Sequence, residues 1–72
     1  MYYMTSKRKS ETGYWEECKA STLSGAKREA TRAYGAGYLD AVLVIATGDG
    51  VTEQRREIAK KSNYPGSKWV KI

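Results

Sequence analysis

The sequence predicts an α+β domain: a single antiparallel sheet of about five strands with one helix packed on one face, in the order ββαβββ. Apolar residues recur at spacings of three and four in one segment, which indicates one amphipathic helix. Short segments rich in Tyr, Trp, Val and Ile lie on both sides of it, separated by turn signals. The 72 residues allow a single domain, 1–72, with a thin core.

Two strands are expected before the helix. Residues 2–9 alternate weakly and end in charges, which favours an edge strand. Residues 10–13 form a turn, and residues 14–20 a second strand that makes a hairpin with the first. Alternation places Cys18 and Trp15 on opposite faces. If Cys18 faces the helix, Trp15 therefore lies on the open side of the sheet.

The helix begins after a Ser/Thr-rich step in which Ser21, Thr22 or Ser24 can act as the N-cap. It ends near Gly35, where the segment to Gly37 is expected to supply a left-handed residue. The stripe that faces the sheet consists of small or apolar residues: Leu23, Ala26, Ala30, Ala33 and Tyr34.

Three strands are expected after the helix. Residues 38–46 are the most apolar segment and predict a central strand buried on both faces. The Asp49-Gly50 pair predicts a hairpin turn rather than a phosphate loop. Residues 51–62 fit a helix by composition, but the turns on both sides favour a strand. Pro65 and Gly66 suit the central positions of a type II turn, before a last strand, 68–72.

The residues that enzymes of this size need are missing, so we expect no catalytic activity. The sequence has no histidine to serve as a base for a nucleophile. Cys18 is the single cysteine and is expected to be a small buried residue. One cysteine cannot build a common zinc site, and Glu16 and Glu17 point to opposite faces of a strand. We expect no metal, no cofactor and no small-molecule substrate.

Cysteine usage and hydropathy favour the cytosol. A lone cysteine cannot form an internal disulfide, whereas small secreted domains usually rely on several. No apolar run approaches the ~18 residues of a membrane span, and the first residues lack the apolar stretch of a signal peptide. We therefore expect a cytoplasmic protein without membrane contact.

Charge indicates an acidic partner, either nucleic acid or a protein surface. Thirteen Lys and Arg face eight acids, which gives a net charge of +5 and a pI near 9.5. Two basic stretches that met in space would form a phosphate-contacting patch. Trp69 is expected in the core, whereas for Trp15 core packing and an exposed stacking role both stay open. The candidate partner-binding residues are Lys27, Arg28, Arg32, Arg55, Arg56, Lys60 and Trp15.

The stretch from Glu17 to Ile45 joins a strand, a Ser/Thr-rich step, a helix opening Leu-Ser-x-Ala-Lys-Arg-x-Ala from Leu23, and an apolar strand. With the closing Trp69-Val70, this layout resembles small phage-encoded anti-CRISPR proteins that bind the type I-F surveillance complex. It is also similar to a small phage inhibitor of host RNA polymerase. The resemblance implies a plug that occupies a groove of a bacterial host complex in the host cytosol. It carries over only two contact candidates, Lys27 and Arg28.

The expected function is therefore stoichiometric inhibition of a host complex, a CRISPR–Cas complex first, by blocking nucleic-acid binding or recruitment. Three alternatives stay open: inhibition of host RNA polymerase, a basic nucleic-acid-binding module without sequence specificity, and a structural phage component that self-associates. Proteins that mimic nucleic acid are usually acidic, and this chain is basic. It would instead contact acidic patches of its target or bind beside the nucleic acid.

Overall fold

The structure is a computed structural model that describes residues 1–8, 14–49 and 54–72. One helix packs on one face of a five-stranded antiparallel sheet, which confirms the predicted α+β class and the order ββαβββ. The elements are β1 (Tyr2–Lys7), β2 (Glu16–Glu17), α1 (Leu23–Tyr34), β3 (Val42–Thr47), β4 (Arg56–Ser62) and β5 (Val70–Lys71).

The first strand lies inside the sheet, so the prediction of an edge strand is wrong. The strand order is β2-β1-β3-β4-β5, and all six residues of β1 pair with β3. Two residues of β1, Tyr3 and Met4, also pair with β2. Of the charged residues that suggest an edge, Lys7 ends β1 and Arg8 follows it, whereas Tyr3, Met4 and Thr5 within the strand are buried.

The second strand is much shorter than residues 14–20, although it pairs with β1 as predicted. The Cys18 N–H still donates to the Tyr2 carbonyl at 2.8 Å. The next two amides, of Lys19 and Ala20, donate instead to the carboxylate of Glu29 on the helix, at 2.9–3.1 Å. Because these two amides bond to the helix, they do not extend the pairing of β2 with β1. The turn predicted at 10–13 lies outside the described residues.

The helix is capped by Thr22, one of the three predicted candidates, whose hydroxyl accepts the Gly25 N–H at 3.1 Å. Ala26 and Ala30 are completely buried, as the apolar stripe predicts, but Ala33 is exposed. The expected left-handed residue is absent at Gly35, which is right-handed with φ −61° and donates to the Thr31 carbonyl. A side chain there would collide with that carbonyl, which explains the glycine without positive φ.

The central strand begins later than residue 38, because the residues after the helix form a loop. Tyr38 and Leu39 are exposed, and β3 starts at Val42. The side chain of Asn63, which is buried, holds this loop: its Nδ2 donates to the carbonyls of Tyr34 (3.3 Å) and Tyr38 (2.9 Å). The apolar sequence of residues 41–46 is almost wholly buried on both faces, as predicted.

Residues 56–62 form a strand, which confirms the favoured alternative for the segment 51–62; its first three residues lie outside the described chain. A β-bulge interrupts its pairing with β3: Ile45 pairs with Ala59, but Ala46 pairs with Glu57. Ile58 is the extra residue, so two consecutive residues, Ile58 and Ala59, both reach the core. The bulge explains why this segment lacks a regular apolar period.

The turn after β4 follows the prediction. The Ser67 N–H donates to the Tyr64 carbonyl at 3.2 Å, and Gly66 has φ +85°. Pro65 and Gly66 therefore occupy the central positions of a type II turn. The final strand is shorter than 68–72, because only Val70 and Lys71 pair with β4.

Candidate binding surfaces

The exposed side of α1 forms one wall of a groove of about 530 Å³, hereafter the helix-side groove. Helical spacing places its cations within one and a half turns of one another. The ring of Trp69 forms the opposite wall; it packs against the core and remains half-exposed. The residues that line the groove are Lys27, Arg28, Thr31, Arg32 and Trp69.

The cations of the helix-side groove have no carboxylate partner among the described residues. Within the described ranges, no carboxylate lines the groove, and no ion pair involves Lys27, Arg28 or Arg32. The nearest acid along the helix, Glu29, lines a neighbouring depression of about 570 Å³ beside Arg28 and Arg32. Its carboxylate already accepts the amides of Lys19 and Ala20. The groove therefore presents positive charge beside an aromatic ring.

The opposite face of the sheet, which the helix does not cover, carries mixed charge. Lys7 donates to Glu57 at 2.9 Å, and Arg8 contacts Asp40 at 3.1 Å. These residues line a shallow cavity of about 330 Å³ together with Lys60. Two basic stretches of the sequence do meet here, but Glu57 pairs with Lys7 and Asp40 pairs with Arg8. A continuous path for phosphates therefore does not form in this cavity.

The bulge in β4 divides the basic residues of that strand between the two faces. It places Glu57 and Lys60 together on the helix-free face, whereas Arg56 pairs with Thr47 and lies on the helix side at the far end of the sheet. The Arg55 guanidinium stacks on the Tyr3 ring at 4.5 Å, again on the helix-free face. Of the seven candidate residues, the structure groups only Lys27, Arg28 and Arg32.

Trp15 lies on the helix-free face, where the Lys7 ammonium approaches its ring centroid to 5.4 Å. Cys18 belongs to the core beneath the helix. This confirms the relation expected between the two residues. Trp15 is half-buried, and because it lies on the helix-free face it belongs neither to the core beneath the helix nor to the helix-side groove.

Cys18 is buried, as expected. Desolvation raises the pKa of the Cys18 thiol to about 11, and the carboxylates of Glu29, Glu16 and Glu17 add to the effect. Burial also raises the pKa of Tyr34 to about 12, helped by its hydrogen bond to Glu16. A thiol with so high a pKa is a poor nucleophile at neutral pH.

A second groove of about 430 Å³, hereafter the strand-side groove, lies beside β5 on the helix-free face. The sequence analysis did not predict this groove. It also did not predict that Trp69 lines the helix-side groove. The alternation Lys68-Trp69-Val70-Lys71 is the signal that could have found both, because it directs Trp69 and Val70 to opposite faces. The strand-side groove is lined by Val42, Lys60, Lys61, Ser62, Ser67, Lys68 and Val70.

The residues that the structure describes contain no group of three or more potential metal ligands. None of their helices has the length and apolarity needed to cross a membrane. Comparisons with protein-family models, with curated proteins and with solved structures returned no match. A functional proposal therefore rests on the side chains of this chain.

Proposed function

We propose that this protein is a binding protein rather than an enzyme, and that it docks the helix-side groove on an acidic surface of a partner protein. The observation that carries the proposal is the grouping of Lys27, Arg28 and Arg32 beside Trp69 without a carboxylate among the described lining residues. Arginine and tryptophan are the residues that most often dominate binding energy at interfaces. The absence of histidine and the high pKa of Cys18 also favour binding over catalysis.

A protein partner fits the groove better than a nucleic acid does. The three cations form a compact cluster on one helix, and the other basic groove, with Lys60, Lys61 and Lys68, lies on the opposite face of the sheet. Nucleic acid is tracked by grooves that remain positive over several phosphates. A compact cluster matches instead a small acidic patch that surrounds an apolar side chain.

The resemblance to small phage inhibitors suggests which partners to test first. It points to a bacterial complex that handles nucleic acid in the cytosol, a CRISPR–Cas surveillance complex before RNA polymerase. Stoichiometric docking would block nucleic-acid binding or recruitment without any reaction. Mimicry of nucleic acid is not required, because a basic groove can engage acidic patches of the complex directly.

Affinity purification with matched variants tests the proposal. The tagged protein is purified from bacterial lysate with and without nuclease, and candidate complexes are reconstituted from purified parts. The test variant carries Lys27→Glu, Arg28→Glu and Arg32→Glu. The control variant carries Lys7→Glu, Arg55→Glu and Arg56→Glu, which lie outside both grooves, so both variants lose the same net charge.

We expect a nuclease-resistant complex of fixed stoichiometry that the test variant loses and the control variant keeps. A complex that survives reversal of all three helix cations would contradict the proposal. Binding that disappears with nuclease would favour the second candidate, a nucleic-acid-binding module, for which Trp69 beside the cations offers a stacking platform. That module would also show steep weakening of binding with salt.

A further inference from the structure

The sheet has two edges of opposite charge. At one edge, β2 consists of Glu16 and Glu17, both exposed. At the other edge, β5 contains Lys71 and follows Lys68. The helix-side groove lies on one side of β5 and the strand-side groove on the other, because Trp69 and Val70 face opposite ways. Positive charge therefore surrounds the β5 edge.

Neither groove beside β5 contains a carboxylate among its described lining residues. The strand-side groove combines lysine side chains with apolar surface from Val42 and Val70, and the Val70 side of the strand is half-exposed, at 50%. A partner at this edge would thus meet apolar contact and positive charge on both faces of the strand. Extended segments in which acidic and apolar residues alternate in pairs match this pattern, because successive side chains point to opposite faces and each face then receives both kinds.

The backbone of β5 retains hydrogen-bonding groups on its outer side. The Ile72 N–H donates to the Ile58 carbonyl of β4 at 3.1 Å. Alternate residues of an antiparallel strand bond to the same neighbour, so the N–H and C=O of Lys71 point away from β4. An edge of this kind can accept a further strand, with main-chain bonds supplying affinity and side-chain contacts supplying specificity.

The lysines of this edge select what can pair with it. If two copies of β5 paired side by side, Lys68 and Lys71 of one copy would lie near the lysines of the other. Like charges at such short distances are unfavourable. An acidic strand would place carboxylates opposite them. From these relationships we infer that the β5 edge receives an extended acidic segment of the partner protein, which adds to the sheet as a sixth strand. This inference rests on the proposed function and names the partner's contact element.

The probe is a synthetic peptide, acetyl-EEVVEEV-amide, titrated into the full chain. Backbone amide shifts and hydrogen exchange of Lys71 report on the edge, and Trp69 fluorescence reports on the helix-side groove. One control peptide replaces every glutamate with lysine. A second keeps all the acids but replaces the central valine with proline, which removes one backbone donor and disfavours strand pairing.

We expect saturable binding of the acidic peptide with slower exchange at Lys71. Proline should weaken it about tenfold, since one hydrogen bond near 1.4 kcal/mol corresponds to that factor. The lysine peptide should not bind. The variant Lys68→Glu with Lys71→Glu should also weaken binding about tenfold at low ionic strength, because two exposed charge pairs are reversed. Its thermal unfolding serves as the control for folding.

Three outcomes would overturn strand addition. Equal binding of the proline peptide would mean that charge alone attracts the segment. Unchanged exchange at Lys71 would place the peptide elsewhere. Concentration-dependent oligomers that Glu16→Lys with Glu17→Lys abolish would identify a second copy, pairing β2 with β5, as the occupant. The proposed function is tested separately by the variant with Lys27→Glu, Arg28→Glu and Arg32→Glu. This variant changes the helix-side groove and leaves the β5 edge unchanged, so failure of one proposal can be told from failure of the other.

Discussion

Trp69 and Val70 are adjacent in the chain, yet Trp69 packs beside the helix cations while Val70 lines the groove on the opposite face of the sheet. A single short strand thus connects two basic surfaces. Trp69 touches the core with one side and the helix-side groove with the other. Its indole should therefore report any partner that enters that groove.

Trp69 fluorescence provides the first prediction. In a Trp15→Phe variant, Trp69 is the single tryptophan, and its emission should shift when an acidic partner binds. The matched Trp69→Phe variant retains Trp15, which lies over Lys7 on the helix-free face, and should respond much less. An equal response from both variants would contradict docking on the helix side.

The second prediction compares two glutamates, Glu29 and Glu57, whose contacts differ in kind. Glu29 accepts the backbone amides of Lys19 and Ala20, whereas Glu57 pairs with Lys7 at an exposed site. Glu29→Gln should lower the free energy of unfolding by about 1–2 kcal/mol, because charge-assisted bonds to amides are strong. Glu57→Gln should cost less than about 1 kcal/mol.

Urea denaturation of the two variants measures this difference directly, and both substitutions remove one negative charge. A larger loss for Glu57→Gln would mean that the ion pair between β1 and β4 stabilises the sheet more than the Glu29 contacts stabilise the entry to the helix. Thermal unfolding at high salt separates the cases further, since salt screens the exposed pair.

Much of this fold follows from local patterns in the sequence. The burial of Ala26 and Ala30, the Thr22 cap and the Pro65-Gly66 turn depend on residues close in the chain, and the structure confirms each. The position of β1 between β2 and β3 depends on pairing with residues about forty positions away. No local pattern encodes that choice, which is why the sequence predicts an edge position for β1.

The grouping of charges was predictable on the helix but not on the sheet. Lys27, Arg28 and Arg32 share a helix face by spacing alone. The faces of the β4 residues depend instead on the bulge at Ile58, which shifts the register by one residue. Without that shift, Glu57 would not share a face with Lys60. Consecutive apolar residues in a polar strand, here Ile58 and Ala59, are the available signal for such a bulge.

Asn63 provides the third prediction. Its buried amide donates to the Tyr34 and Tyr38 carbonyls and so joins the end of β4 to the loop after the helix. Asn63→Ala should destabilise the protein by about 1–3 kcal/mol, because two carbonyls lose their donor. Exposed Ser21→Ala is the control and should change stability by less than about 0.5 kcal/mol. Chemical denaturation measures both, and equal small effects would show that the loop does not need this anchor.

The fourth prediction follows from the raised pKa of Cys18. The thiol ionises near 9 in the unfolded chain and at about 11 in the folded protein. Below pH 9 both states keep the proton, so the contribution to stability is complete there. As the pH rises from about 9 to about 11, the unfolded state ionises first and stability falls.

Cys18→Ala should make the dependence of the unfolding free energy on pH shallower between pH 9 and 11. Tyr34, whose pKa is raised to about 12, would still cause a loss at higher pH, and Tyr34→Phe tests that part. In the wild-type protein at pH 8, the Cys18 thiol should react with an aromatic disulfide reagent only as fast as the chain unfolds. A rapid reaction without denaturant would contradict the burial.

The fifth prediction isolates backbone conformation at Gly66. This residue has φ +85°, and no atom lies within 4 Å of the position that a Cβ would occupy. Substitution therefore costs only the energy of a left-handed backbone, with no steric clash. Gly66→Ala should lower the free energy of unfolding by about 1–2 kcal/mol, whereas Gly66→Asn should cost less because asparagine tolerates this region. Urea midpoints of the two variants compare them at the same site. Equal losses of unfolding free energy would mean that the flanking strands, and not the conformational preference of residue 66, hold the turn before β5. The position of the β5 edge would then not depend on this turn.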